Sequence, residues 1–357
     1  MTKKEIWNKA YKRMIELYGE NPDFHIINRF LSEKQAFSQF ECITYFDVIG
    51  KLRAEIAEKG EILIGRSILG SSFAAYLLGA TDENPSPPHY YCPNCKCVEF
   101  TDGICAFDMP KKTCTCGTPM KADGFDIPFE NYLPYVKKGV EFNQSNYNEL
   151  YDELTSHITP SLCEMAERCK MLEREAGRKI ENIDLGDRKV LERYLSGDFI
   201  GMPRGLARFL KEAYAVAQPQ NYAELLKLVG LARGTQAWRY NAEELLQNGI
   251  CKLSDIPATR DEVFVIIRDA MRECGFFDTG FAYEVANKAR RGYYFENGMD
   301  SYTAANLRML GFDEWFISYI LRCRYLSNKA LTVAELKYSI IHSYYLRGEK
   351  FDKVRNV

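Results

Sequence analysis

The sequence predicts an α+β fold: a small mixed α/β N-terminal part with an inserted cysteine-rich ribbon, followed by a mainly helical C-terminal part. Three observations predict it. Short β-branched and apolar runs alternate with helical patterns between Glu41 and Gly79. Six cysteines crowd between Cys92 and Cys116, directly after a proline-rich connector. From residue 186 onward nearly every segment carries helical periodicity, interrupted only at Gly- and Pro-containing breaks.

Residues 3–18 and 23–37 read as amphipathic helices, the second opening at Pro22-Asp23, which suits a helix N-terminus. Glu41 to Phe46 reads as a strand, Asp47 to Lys59 as a helix stopped by Gly60, and Glu61 to Ile64 as a second strand. The loop Gly65-Arg66-Ser67-Ile68-Leu69-Gly70-Ser71-Ser72 then leads into an apolar helix ending near Gly79. Residues 81–91 hold three prolines within four positions and form a connector. A helical, charged stretch covers 140–180. Beyond it, helices break at Gly201-Met-Pro203, Gln218-Pro-Gln220, Gly230 to Gly234, Ile256-Pro257, Gly275, Gly292 and Gly311. The expected domains are 1–86, 87–133, 134–185 and 186–357.

Cys92-Pro-Asn-Cys95 spaces two thiolates so that both face one tetrahedral ion, and Cys114-Thr-Cys116-Gly117 offers a second, tighter pair. Together they read as a structural zinc ribbon, with Cys97 or Cys105 as possible replacements for one ligand. Four thiolates leave no open coordination position, so a catalytic zinc is excluded. The plain alternative is a cluster of free thiols. The other six cysteines are scattered in apolar patterns and read as core residues. The Gly65 to Ser72 loop, between a strand and a helix, has the setting in which backbone amides bind phosphate, although such a turn is more often simply a tight turn. Four histidines, none paired at helical spacing or beside a nucleophile pattern, give no hydrolase triad. Arg233 and Arg239 flank a glycine-bounded helix connection suited to a nucleic-acid backbone, or simply to anchoring Trp238. Arg322-Cys-Arg-Tyr-Leu-Ser-Asn-Lys329 gathers three cations and reads as a solvated helix end.

The net charge of −2 rules out a global basic field, though residues 201–357 carry 22 Lys+Arg against 18 Asp+Glu and residues 1–200 carry 25 against 31. A basic face on the C-terminal part is therefore allowed. No apolar run is long enough to span a bilayer, and the charged N-terminus does not resemble a signal peptide, so no membrane partner and a cytoplasmic location are expected.

Read in order, these segments resemble the PolC-type DNA polymerase III alpha subunit, the replicative polymerase of low-GC Gram-positive bacteria. Gly65 to Phe73 resembles that family's triphosphate-binding palm loop, with Ser67 in place of a glycine. Asn84-Pro-Ser-Pro-Pro-His-Tyr-Tyr-Cys-Pro-Asn-Cys95 resembles the entry to its zinc module; Cys116-Gly-Thr118 and Asp126-Ile-Pro-Phe-Glu130 resemble the exit. The likeness is clear again from Asp187 to Lys329 and implies a fingers domain. After Leu133 the family presents Pro-Asp-Ile-Asp-Leu-Asn-Phe, whose aspartates hold two magnesium ions. This chain reads Pro134-Tyr-Val-Lys-Lys-Gly-Val-Glu-Phe-Asn143, and the place of the third aspartate falls near Thr159. The fingers motif Phe-Pro-Lys-Ala-His-Ala-Ala-Ala-Tyr becomes Ser327 to Glu335, with Lys329 kept, Leu331 in place of histidine and Glu335 in place of tyrosine.

The resemblance implies a palm-like part, a zinc module and fingers without the catalytic aspartates, hence no catalytic residue. Triphosphate contact would fall to Arg66, Gly70, Ser71, Ser72 and Lys329, and DNA contact to Arg233, Arg239 and Arg260. The expected role is a replication-associated or mobile-element protein that binds DNA, a nucleotide or a replisome partner without polymerising. The competing expectation is an enzyme holding magnesium on Asp123, Asp126, Glu130 and Glu141; a third is a structural scaffold or polymerase mimic.

Overall fold

The computed structural model describes residues 2–37, 42–58, 68–129 and 160–346, in two units, Met1–Gly186 and Asp187–Val357. In the first unit α1 (Lys3–Tyr18) starts on a reciprocal cap: Thr2 accepts from the Glu5 amide while Glu5 accepts from the Thr2 amide. Its buried residues Ile6, Trp7, Ala10, Met14 and Tyr18 recur at three- and four-residue steps and pack one face inward. Across from it lie α2 (Phe24–Phe37) and α3 (Cys42–Glu58). Two short helices, α4 (Ile68–Ser71) and α5 (Phe73–Leu77), complete this core. Gly50 on α3 is required by a close approach: a Cβ there would lie 2.1 Å from the Leu78 carbonyl oxygen.

Of the strand expected at Glu41 to Phe46, Glu41 lies outside the described residues and Cys42 to Phe46 form instead the first part of α3. Ile43, Phe46, Ile49, Leu52 and Ile56 are all buried, at the helical step, so one continuous face decides against a short strand. The strand expected at 61–64 lies outside the described residues. Among the described residues the strands all belong to the cysteine ribbon. β1 (His89–Tyr91) is the centre of an antiparallel sheet, with β2 (Val98–Phe100) on one side and β3 (Lys121–Asp123) on the other. The unit closes with α6 (Pro160–Ala176), and the α+β class holds with its sheet confined to the ribbon.

The second unit is helical. Its centre is α7 (Lys329–Leu346), buried on nearly every side, polar Thr332, Glu335, Ser339 and Ser343 included. Against it pack α8 (Arg188–Leu195), α9 (Tyr222–Arg233) and α10 (Arg260–Glu273). Gly230, expected at a break, lies inside α9 and lets it approach Ala258 and Thr259, whose atoms would sit 3.0–3.1 Å from an added Cβ.

Candidate functional site

The ribbon forms two turns that point sulfur at one place. In the first, the Cys92 amide donates to the Cys97 carbonyl at 2.9 Å and the Lys96 amide to the Cys92 carbonyl at 3.0 Å, with Lys96 in the left-handed region. In the second, the Cys114 amide donates to the Thr118 carbonyl and the Gly117 amide to the Cys114 carbonyl, both at 2.9 Å. The sulfurs of Cys92, Cys95, Cys114 and Cys116 thereby lie within 4.8 Å of one another. Cys92 and Cys116 approach to 3.5 Å, Cys95 and Cys114 to 3.4 Å. Zinc–sulfur bonds of about 2.3 Å set tetrahedral sulfurs about 3.8 Å apart, so the donor set fits such an ion. The Thr118 hydroxyl and backbone amide pull the Cys116 thiol down to about 5, towards the thiolate that binds metal. Cys97 is a fifth sulfur, 3.5 Å from Cys95 and 3.4 Å from Cys114. Cys105 is outside the group.

Only part of the Gly65 to Ser72 loop lies in the described residues; Arg66 falls outside them. Gly70, Ser71 and Ser72 are buried. Glu33, on the inward face of α2, is fully buried and reaches into this turn. Its carboxylate accepts from the Ser72 hydroxyl (2.8 Å), the Phe73 amide (2.8 Å) and the Ala74 amide (2.9 Å). Arg29, one turn earlier, donates to Glu33 at 2.7 Å and to the Ser71 and Ile127 carbonyls at 2.6 and 3.1 Å. The donors at the start of α5 are therefore taken up by an internal anion. The signal for Glu33 in the sequence was a carboxylate in the stripe Ile26, Phe30, Glu33, Phe37, four residues after an arginine.

Beside the ribbon, Asp123 accepts from Tyr76 (3.1 Å) and Asn84 (2.8 Å), and Asn84 also donates to the Tyr18 hydroxyl. Burial first, then the Asp123 charge, pushes the Tyr18 and Tyr76 phenols well above their ordinary value, so both stay protonated. Among the described residues, the four cysteines are the one group of three or more Cys, His, Asp or Glu close enough to share an ion. Asp123 and Asp126 thus gather no third carboxylate there, while Glu130 and Glu141 lie outside the described residues.

The residues expected to touch DNA divide. Arg233 clamps the fully buried Glu335 with two hydrogen bonds, one of 2.7 Å from Nε, and is 31% exposed. Arg260 is 1% exposed, inside the helical unit. Arg239, at 70%, presents its side chain to solvent, paired with Glu212 at 2.7 Å. Lys329 is half-buried; its amide donates to Asp261 at 2.6 Å. Together with Lys227, Lys329 holds Glu262 below the usual carboxylate range against a burial effect that opposes it.

Comparison with known proteins places these features in a family context. The family described as "Bacterial DNA polymerase III alpha subunit finger domain" matches residues 160–271. The proteins named "DNA polymerase III PolC-type" from Staphylococcus aureus strains MW2, USA300 and Newman are each 21% identical, over 96% of this chain and 32% of their own length. The chain thus spans about a third of the curated relatives it matches. Each match runs over 473 residues, more than the 357 of this chain, so at least 116 aligned positions have no counterpart here. No helix among the described residues is long and apolar enough to cross a membrane.

Proposed function

This chain is a PolC-like relative of DNA polymerase III, and from that premise we propose that it is a non-catalytic, replication-associated protein that binds DNA through its helical unit. The observation that carries this reading is that at least 116 aligned positions of the relatives, in total, have no counterpart here. The sequence places a gap after Leu133, at the segment where the resemblance puts the metal-holding aspartates. Two-metal phosphoryl transfer needs carboxylates to fix both ions, and a chain without them keeps the scaffold but not the reaction. Glu33 supports the same reading, because the Ser72, Phe73 and Ala74 donors are already satisfied by a carboxylate. A triphosphate would have to compete with it.

In this reading Cys92, Cys95, Cys114 and Cys116 hold a structural zinc ion, which would fix the two turns of the ribbon to each other. Arg239 is the DNA contact of the three arginines first considered; Arg233 and Arg260 serve packing. A replisome protein is a further possible partner, and the cell interior the natural location. The test is calorimetric titration with primer–template DNA and with a deoxynucleoside triphosphate, each with and without magnesium. DNA binding that needs neither triphosphate nor magnesium is expected. Magnesium-dependent triphosphate binding would overturn the reading in favour of an active nucleotidyltransferase.

A further inference from the structure

Three segments of the helical unit come together around Tyr240 and expose rings and guanidinium groups side by side. The loops 234–240 and 322–326 are laced by their backbones: the Thr235 amide donates to the Tyr325 carbonyl at 2.9 Å, and the Arg324 amide to the Thr235 carbonyl at 3.0 Å. Arg322 ties them again, donating at 2.9 Å to both the Tyr240 carbonyl and Glu244. The third segment turns at Gly292, with φ +67°, where a Cβ would meet the Arg324 carbonyl oxygen at 2.4 Å. Glycine there lets the turn lie directly on the Arg324 backbone and carries Phe295 to the same place.

The cleft between them holds about 320 Å³ and is lined by Gln236, Arg239, Tyr240, Glu244, Phe295 and Arg322. Tyr240 is 76% exposed and stands in the left-handed region, φ +58°. A bulky aromatic residue rarely adopts that conformation, which a glycine would take without strain. Here the strained backbone holds a large ring out into water, where it contributes nothing to a core. Close by, Arg324, itself exposed, lies 4.5 Å above the exposed Phe295 ring. Arg239 and Arg322 pair with Glu212 and Glu244, all substantially exposed, and exposed pairs of this kind exchange readily for a competing anion.

We propose that this surface is a site for single-stranded nucleic acid, with Tyr240 and the Arg324–Phe295 pair as stacking platforms and Arg239 and Arg322 as phosphate contacts. It deepens the DNA-binding reading and rests on it. Projecting rings between cations suit unstacked bases, since every base offers a π-face, whereas duplex bases are already stacked on one another. Among the side chains that pair or stack here, three arginines stand against two glutamates.

The test is fluorescence anisotropy on the full chain with a labelled thymidine oligonucleotide and with a duplex of equal length, each at two salt concentrations. Tighter binding of the single strand is expected. Tyr240→Gly removes the ring and relieves the backbone, so the fold is kept, and single-strand affinity should fall about fivefold to a hundredfold. Arg239→Ala should weaken binding and flatten its salt dependence. Single-strand affinity within twofold of the parent in Tyr240→Gly, Phe295→Ala and Arg324→Ala would overturn this site and leave the DNA-binding reading standing. So would tighter binding of the duplex. Failure to bind the single strand, the duplex and primer–template DNA alike would overturn both.

Discussion

Arg233→Met strands Glu335, a fully buried carboxylate whose two charge-assisted hydrogen bonds both come from that guanidinium. Breaking a buried ion pair by removing one partner costs about 3–5 kcal/mol, because the remaining charge is left uncompensated. The two partners are not equivalent. Arg233 is 31% exposed and can turn towards water when its acid is removed, whereas Glu335 cannot. Arg233→Met should therefore cost about 3–4 kcal/mol. Glu335→Gln, which still offers the guanidinium an amide oxygen, should cost roughly 1–2 kcal/mol. Replacing both, Arg233→Met with Glu335→Leu, should return to within about 1.5 kcal/mol of the parent, since apolar substitutes need no desolvation. For a unit of this size about 3 kcal/mol corresponds to roughly 6–12 °C in melting temperature. Urea unfolding at pH 7, monitored by circular dichroism, of the parent, Arg233→Met, Glu335→Leu and the double variant closes the double-mutant cycle, with Glu335→Gln measured beside them. Equal costs for Arg233→Met and Glu335→Gln, or additive costs in the double, would refute the reasoning.

Three further outcomes follow from the same structure. Glu33→Gln keeps the shape but turns one acceptor into a donor facing the Ser72, Phe73 and Ala74 donors; it should lower stability by about 2–3 kcal/mol in urea titration without unfolding the chain. Chelation of a bound ion should expose the ribbon between about residues 89 and 123 to proteolysis while the helical unit keeps its melting transition, and Cys97→Ser should retain one ion by mass spectrometry where Cys114→Ser loses it. Asp47, buried between Lys9 and Lys51, is held below its ordinary carboxylate value by those two ammonium groups, although burial alone would raise it. Its folded-state value being depressed, its stabilisation is present above about pH 4 and drains away below; Asp47→Asn should cost about 1 kcal/mol at pH 7 and little at pH 2.

Much of this was legible in the sequence where one period or one spacing ruled. The helices α1 and α2 follow from three- and four-residue apolar steps, and the gathering of Cys92, Cys95, Cys114 and Cys116 was legible in their Cys-x-x-Cys and Cys-x-Cys spacing. The run from Cys42 to Phe46 misled because five apolar or β-branched residues satisfy a strand and a helix equally; Ile49, Leu52 and Ile56 beyond it settle the matter. Arg233 and Arg260 misled in another way. Charge in a sequence says nothing about whether a partner waits inside, and the Glu335 carboxylate lies 102 residues away along the chain from Arg233. The Tyr240 surface was hidden for the same reason, since its rings and cations come from three segments that only tertiary structure brings together.

Two glutamates, 33 and 335, carry a common consequence. Each lies on the inward face of a helix, each is fully buried, and each is gripped by an arginine. The resemblance would have the loop ending at Ser72 cradle a phosphate, and Glu335 stands where the family has a neutral tyrosine. In this chain both places are satisfied from within: an internal carboxylate takes the amides at Phe73 and Ala74, and an internal cation neutralises Glu335. The donors at Ser72, Phe73 and Ala74, which a bound anion could otherwise satisfy, are satisfied here by Glu33, so this turn needs no bound phosphate to pair its buried donors. A protein arranged in this way gains little from binding a triphosphate. It still presents, at Tyr240 and its neighbouring arginines, rings and cations that remain exposed, and this contrast between the donors taken up by Glu33 and an open aromatic surface is the ground on which strand binding, rather than nucleotide chemistry, is proposed.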